Sequence, residues 1–172
     1  MLRLFKKIVT TGVVTEPAPA VDGADIEVLG LEVRRLLDRV FSGSLAIRQV
    51  DAGSCNGCEL EIHALNNPFY DVERFGIHFV ASPRHADCLL VTGPVSRHME
   101  YALRRVYEAT PEPRLVIAAG SCACDGGEFG VSYASCGALE NVIPVDVKIP
   151  GCPPSPSQLL TGLLTVLRRM EE

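Results

Sequence analysis

From Ile26 onward apolar residues return at every third or fourth position: Ile26, Leu29, Val33, Leu36, Leu37 and Val40. That is the spacing of one helix face. Asp25 suits the N-cap in front of this pattern and Gly43 the stop behind it. Beyond Gly43 strands and helices alternate. Residues 44–50 read as a strand and 59–65 as a helix. Residues 76–81 and 88–91 read as strands, the second wholly apolar. A helix over 97–108 follows, with Met99, Leu103, Val106 and Tyr107 on one face. Residues 115–119 (LVIAA) are another unbroken apolar run, and 145–149 form the last strand. Ser155 and Pro156, with Gln158 three residues after the serine, predict a sharply capped final helix reaching about Arg169. Arg168 and Arg169 suit the negative end of its dipole.

Strands apolar on both faces, separated by helices, predict a parallel sheet covered on both sides. The fold class is therefore α/β, three layers around a central, mostly parallel sheet, with an N-terminal helical extension. Residues 1–43 divide into an amphipathic segment, a linker and the first helix; residues 44–172 form the α/β domain. Within residues 2–9, Leu2, Phe5 and Val9 share a helix face among basic residues. Such a helix fits the surface of an anionic bilayer. Two turns bind lipid poorly alone, so docking on a partner or fraying is the simpler reading. Residues 15–23 (TEPAPAVDG) read as a linker.

Composition narrows the function. At 172 residues the chain suits one domain that needs no metal or disulfide staple to fold. A formal net charge of −5 leaves no excess of Lys and Arg to displace phosphate counterions, so no nucleic-acid partner is expected. Residues 159–167, the longest apolar candidate, are interrupted by Thr161, Gly162 and Thr165 and fall short of the roughly 18 apolar residues of a membrane span. Any membrane contact should be peripheral. Residues 1–14 lack the apolar core and cleavage site of a secretory signal, so a reducing compartment is expected, where the seven cysteines are not disulfides.

Four of those cysteines stand at strand exits. Cys55 and Cys58 form C-x-x-C after the first core strand, Cys122 follows LVIAA, and Cys152 follows the last strand within Pro150-Gly151-Cys152-Pro153-Pro154. Open α/β sheets bind ligands beyond the carboxyl ends of their strands. A glycine beside each thiol lets backbone approach a bulky inorganic group. Four converging thiolates make a metal site. An iron–sulfur cluster is favoured over zinc, because the second cysteine pair is split along the chain and a Cys-Pro follows the last ligand. Zinc and a thiol redox pair remain open. Cys124 is the alternative to Cys122, which is preferred for standing directly at the strand exit. Cys88 reads as a buried apolar residue and Cys136 as a spare thiol near the site. Backbone amides near Gly57, Ser121 and Gly151 are expected donors to sulfur. Asp146 and Lys148 read as strand-face residues.

The runs Cys55-Asn56-Gly57-Cys58-Glu59-Leu60-Glu61, Ser82-Pro83-Arg84-His85-Ala86-Asp87 with Thr92-Gly93-Pro94-Val95, Gly120-Ser121-Cys122 with Gly126-Gly127, and Ile143-Pro144-Val145-Asp146-Val147 leading to Pro150-Gly151-Cys152-Pro153-Pro154 occur in one order. Over about residues 44–167 the chain resembles the small, electron-transfer subunit of membrane-bound (group 4) nickel–iron hydrogenases, of the formate hydrogenlyase and energy-converting type. The same superfamily includes the complex I 20 kDa subunit that carries the terminal cluster beside quinone. That subunit has two adjacent cysteines where this chain has C-x-x-C, so the resemblance favours hydrogenase.

The resemblance implies a flavodoxin-like fold and one [4Fe-4S] cluster on Cys55, Cys58, Cys122 and Cys152. It implies three partners: a NiFe-type large subunit holding the catalytic centre, a ferredoxin-like iron–sulfur subunit, and membrane-embedded complex I-like subunits. The chain would be peripheral, on the cytoplasmic side of the cell membrane. It has no second C-x-x-C near a terminus for nickel and no cysteine-rich C-terminal extension for further clusters. Glu61 matches a family glutamate suited to proton relay, and Arg84 and His85 match a position facing the cluster edge and the large subunit. The alternatives are a complex I-like NADH/ferredoxin:quinone or other-acceptor oxidoreductase subunit, a zinc-stabilised interaction module, and a thiol oxidoreductase.

Overall fold

The computed structural model describes residues 6, 10 and 23–171. Of the expected linker, residues 15–23, only Gly23 is described, and it belongs to the first helix; all of segment 2–9 except Lys6 lies outside the described residues. Among these, five strands form one sheet: β1 (Leu45–Asp51), β2 (Ile77–Phe79), β3 (Cys88–Thr92), β4 (Leu115–Ala119) and β5 (Val147–Ile149). Their order is β2-β1-β3-β4-β5 and every pairing is parallel. This is the flavodoxin-like order, whose ligand crevice opens where the chain leaves β1 and β3 in opposite directions.

Alternation along the strands creates two cores. Leu45, Ile47, Cys88, Leu90, Ile117 and Ala119 face one side. Val50, Leu89, Val91, Val116 and Ala118 face the other. Successive Cβ atoms on a strand point to opposite faces, so β3, buried along its whole length, serves both. The first face is covered by α1 (Gly23–Val40), α2 (Gly57–Ala64) and α5 (Pro156–Glu171). The second is covered by α3 (Arg97–Ala109), the short α4 (Ser121–Asp125) and the chain around Leu139. α1 packs Val33, Leu36 and Leu37 into the same core as α5. Ion pairs Arg168–Glu32 (2.5 Å) and Arg39–Glu171 border that contact.

Local chemistry sets the element ends. α5 starts with a capping box: Ser155 N donates to Gln158 Oε1 (2.8 Å) and Gln158 N donates to Ser155 Oγ (3.4 Å). α3 is capped by Ser96 Oγ, which accepts from Met99 N (3.3 Å). α1 begins at Gly23, so Asp25 lies in its first turn and is not its N-cap. β2 ends at Phe79, short of the expected Ala81, because its register with β1 closes at Ile47↔Phe79 and the chain turns into Ser82-Pro83. Asp87 and Asp146 use one device at two strand starts. Each carboxylate accepts the amide of a neighbouring strand, Ala46 N (2.9 Å) and Val116 N (2.7 Å). Asp146 therefore has a structural role that strand-face placement did not anticipate. Among the described residues no helix is long and apolar enough to cross a membrane.

Candidate metal centre

The loop after β1 is built by its own side chains. Asp51 Oδ1 accepts from Gly53 N (2.8 Å) and Ser54 N (2.7 Å), and Ser54 Oγ accepts from Asn56 N (3.1 Å). These short-range bonds turn the chain at the strand end. Asn56 is left-handed (φ 71°), a conformation that asparagine tolerates better than most residues. α2 starts at Gly57, two residues earlier than the periodicity predicts, so Cys58 sits in its first turn and Cys55 precedes it. Cys122 likewise lies in the first turn of α4, directly after β4.

The four strand-exit thiols meet. Cys55, Cys58, Cys122 and Cys152 line one cavity of about 100 Å³, closed on other sides by Gly93-Pro94 and Phe129. Cys55 and Cys152 are exposed, while Cys58 and Cys122 are half-buried, so the cavity opens at the surface. Cys124 does not take part. It is buried in the second core and its Sγ donates to Ala118 O (3.5 Å). Cys136 is also buried, its thiol donating to Glu100 Oε2 (3.3 Å). Cys88 is fully buried within β3.

The thiols feel one another. The Cys58 pKa is pushed up to about 11 by burial first, then by Glu59 and by Cys55, Cys122 and Cys152. Burial, Cys152 and Cys55 raise that of Cys122. Like groups crowded without a cation resist losing protons; a bound metal reverses this and takes them as thiolates.

The donor set, four cysteine thiols, is that of an iron–sulfur cluster or of a structural zinc. A zinc ion with bonds of about 2.3 Å draws its thiolates to within about 4 Å of each other. The four thiols stand around one cavity wall. Glycines keep that wall open. A Cβ at Gly120 would lie 2.6 Å from Cys58 Sγ, and one at Gly127 would lie 2.9 Å from Cys122 Sγ. Both have positive φ, +89° and +51°, which glycine alone adopts without strain.

Other sequence expectations fare differently. The Ser121 amide donates to Gly151 O (2.7 Å) and the Gly151 amide to Ser121 Oγ (3.3 Å). These amides lace the two loops together and are not free for sulfur. Glu61 is half-buried, Arg84 and His85 are exposed on a single 3₁₀ turn, and none of the three lines the cavity. The buried carboxylate is Glu59. Its Oε1 accepts from Thr92 Oγ1 at the end of β3, and its Oε2 is buried without a partner. Sequence reading missed it because the inward face of α2 depends on where the helix starts. Phe129 was missed too, having no periodic neighbours to announce it.

Comparisons of sequence and structure find several relatives of this chain. The family described as NADH ubiquinone oxidoreductase, 20 Kd subunit, matches residues 55–166. The probable membrane-bound hydrogenase subunit mbhJ of Pyrococcus furiosus is 50% identical over 121 residues, covering 70% of this chain and 72% of that protein. Formate hydrogenlyase subunit 7 of Escherichia coli is 46% identical over 129 residues, 75% of this chain and 51% of that protein. Among solved structures, a chain of the membrane-bound sulfane sulfur reductase, an archaeal respiratory membrane complex, matches with a TM-score of 0.66 and 32% identity. That match covers 88% of this chain and 77% of the other.

Proposed function

Since the chain belongs to the family of the 20 kDa subunit of NADH ubiquinone oxidoreductase and is an electron-transfer subunit of an oxidoreductase complex, we propose that it serves a membrane-bound [NiFe]-hydrogenase. In this reading Cys55, Cys58, Cys122 and Cys152 hold one [4Fe-4S] cluster, placed between a ferredoxin-like subunit and the nickel–iron site of a large subunit. The observation that carries it is the single cavity lined by four thiols from three strand exits. Such a cluster supplies one-electron transfer, at a potential set by charge, hydrogen bonding to sulfur and solvent exclusion. Phe129 and Pro153, both exposed, form part of the cavity wall. The exposed Cys55 and Cys152 need a partner's surface to exclude solvent. Residues 44–172 are the cluster-binding domain, with the N-terminal extension held to it through α1. The chain sits peripherally at the cytoplasmic face of the cell membrane, held by membrane-embedded complex I-like subunits. Arg84, His85 and Glu61 lie off the wall: Arg84 raises the cluster potential through its charge, His85 couples its protonation to reduction, and Glu61 relays protons at the subunit interface; an unchanged midpoint potential in Arg84→Met removes Arg84 from this role.

A second reading keeps the cluster and changes the acceptor. It is favoured by the 32% identity to a chain of a sulfane sulfur reductase, and it includes a complex I-like oxidoreductase. The test is iron, sulfide, nickel and zinc content of the anaerobically purified complex, with low-temperature EPR. About four irons and four sulfides per chain, with a signal lost in Cys152→Ser, supports the cluster. Nickel in the complex supports hydrogenase, and cluster without nickel supports the second reading. One zinc without sulfide refutes both.

A further inference from the structure

A second cavity, of about 260 Å³, opens beside the edge of the sheet, one helical turn along α2 from Cys58. It exists because β1 outlasts its neighbour: β2 ends at Phe79, opposite Ile47, while β1 continues to Asp51. Arg48 and Gln49 from β1, Ile62, His63 and Asn66 from α2 and the turn after it, and Phe79 from β2 form the wall.

Arg48 is half-buried, and its Nε is wholly buried with no hydrogen-bond partner. Among the described residues no hydrogen bond or ion pair engages the side chains of Gln49, His63 and Asn66, and no carboxylate lines the cavity. Elsewhere arginines of this chain hold carboxylates, as Arg34 holds Asp38 and Arg74 holds Glu27. A buried N–H without an acceptor is costly, and the pocket wall supplies Arg48 Nε with none.

We propose that this pocket receives the side chain of an aspartate or glutamate from an adjoining subunit. Arg48 binds the carboxylate through its forked N–H groups, Gln49, His63 and Asn66 surround it with donors, and Ile62 and Phe79 pack its methylene stem. The apolar floor favours this occupant over a free phosphate, which would leave it uncovered. The proposal rests on the reading that the chain works inside a multisubunit complex, and it locates one contact of that complex on the helix that carries Cys58.

The experiment is a sodium chloride titration of the purified complex, read by native mass spectrometry, on wild type, Arg48→Lys, Arg48→Gln and Arg48→Glu. Iron content and EPR are measured on each. The expected order of retention is wild type, then Lys, then Gln, then Glu, with at least a tenfold rise in the dissociation constant for Arg48→Glu, about 1.4 kcal/mol. Iron should be unchanged throughout. A photo-crosslinker placed at His63, on the rim, should capture a partner peptide containing Asp or Glu, and reversing that residue to Arg should rescue Arg48→Glu. Equal retention of Arg48→Gln and wild type overturns the proposal. So does binding of inorganic phosphate by the intact complex that Arg48→Gln abolishes, since the pocket would then be open. Loss of iron from the wild type would defeat the cluster reading instead, and leave the retention measurement to judge the pocket.

Discussion

Replacing Gly120 by alanine puts the cradle argument to its strictest test. Gly120 has φ 89° and ψ 153°, a region essentially confined to glycine, so an alanine there costs about 1–3 kcal/mol in backbone strain. For a chain of this size that lowers Tm by about 2–12 °C. The added methyl would also lie 2.6 Å from Cys58 Sγ, where an unstrained contact is about 3.5–4.0 Å. The thiol must therefore move by about 1 Å, and a sulfur at the end of a short side chain can do so at small cost to stability. The displacement should appear in cofactor binding, because four ligands must agree on one position. Gly130→Ala is the control. Gly130 also has positive φ, +51°, but nothing lies within 4 Å of its Cβ, so it carries strain of about 1–2 kcal/mol and no clash. Both variants should melt earlier, while Gly120→Ala alone should lose at least half its iron and sulfide or change its EPR line shape. Thermal melts and metal analysis on complexes purified side by side measure this. Full iron with an unaltered signal in Gly120→Ala, or equal iron loss in both variants, refutes the reasoning.

Three further outcomes follow from the same geometry. Cys122→Ser should lose or convert the cluster, whereas Cys124→Ala, whose thiol points into the core toward Ala118 O, should keep its iron and lose about 1 kcal/mol of stability; equal iron contents would disprove the ligand assignment. Thr92→Val removes the only hydrogen-bond donor to the buried Glu59 carboxylate among the described residues, at a cost of about 1–3 kcal/mol; double replacement with Glu59→Leu should recover much of it in urea melts. Burial, with Asp146 and Asp87 nearby, raises the Cys88 pKa above its ordinary value of 9.0. The unfolded thiol ionises first, so its contribution is complete below about pH 9 and declines above it, by at most about 1.4 kcal/mol per pH unit. Cys88→Ala should be less stable at pH 7 but show a shallower decline between pH 9 and 10.5 in denaturant midpoints, and parallel pH profiles would contradict this.

Among the described residues, sequence periodicity located each of the five strands, the four longer helices and the strand exits where the thiols stand. It did so because alternation and helical spacing are local, and burial on both faces of β3 leaves an unbroken apolar run, Cys88 to Val91, that reads the same in any context. The capping box at Ser155 was legible for the same reason: its bonds span three residues. Element ends that depend on a neighbour were not. β2 stops where its pairing with β1 stops, and α2 starts at Gly57 because the Asp51 carboxylate turns the chain just before it.

The site divides along the same line. Residue chemistry alone selected Cys55, Cys58, Cys122 and Cys152 and predicted that they converge, since parallel order puts every strand exit at one edge. The strand exit favoured Cys122 over Cys124, and the tertiary structure set Cys122 on the cavity wall and Cys124 in the core. Two residues apart on a helix point in different directions, and which direction is inward is set by the packing of α4 on β4. Only the tertiary structure turned Glu59 toward Thr92, committed the Ser121 and Gly151 amides to each other, and left Arg48 facing a cavity without an acceptor. Each of these depends on what another element brings to the same place, and no local pattern in the chain encodes that.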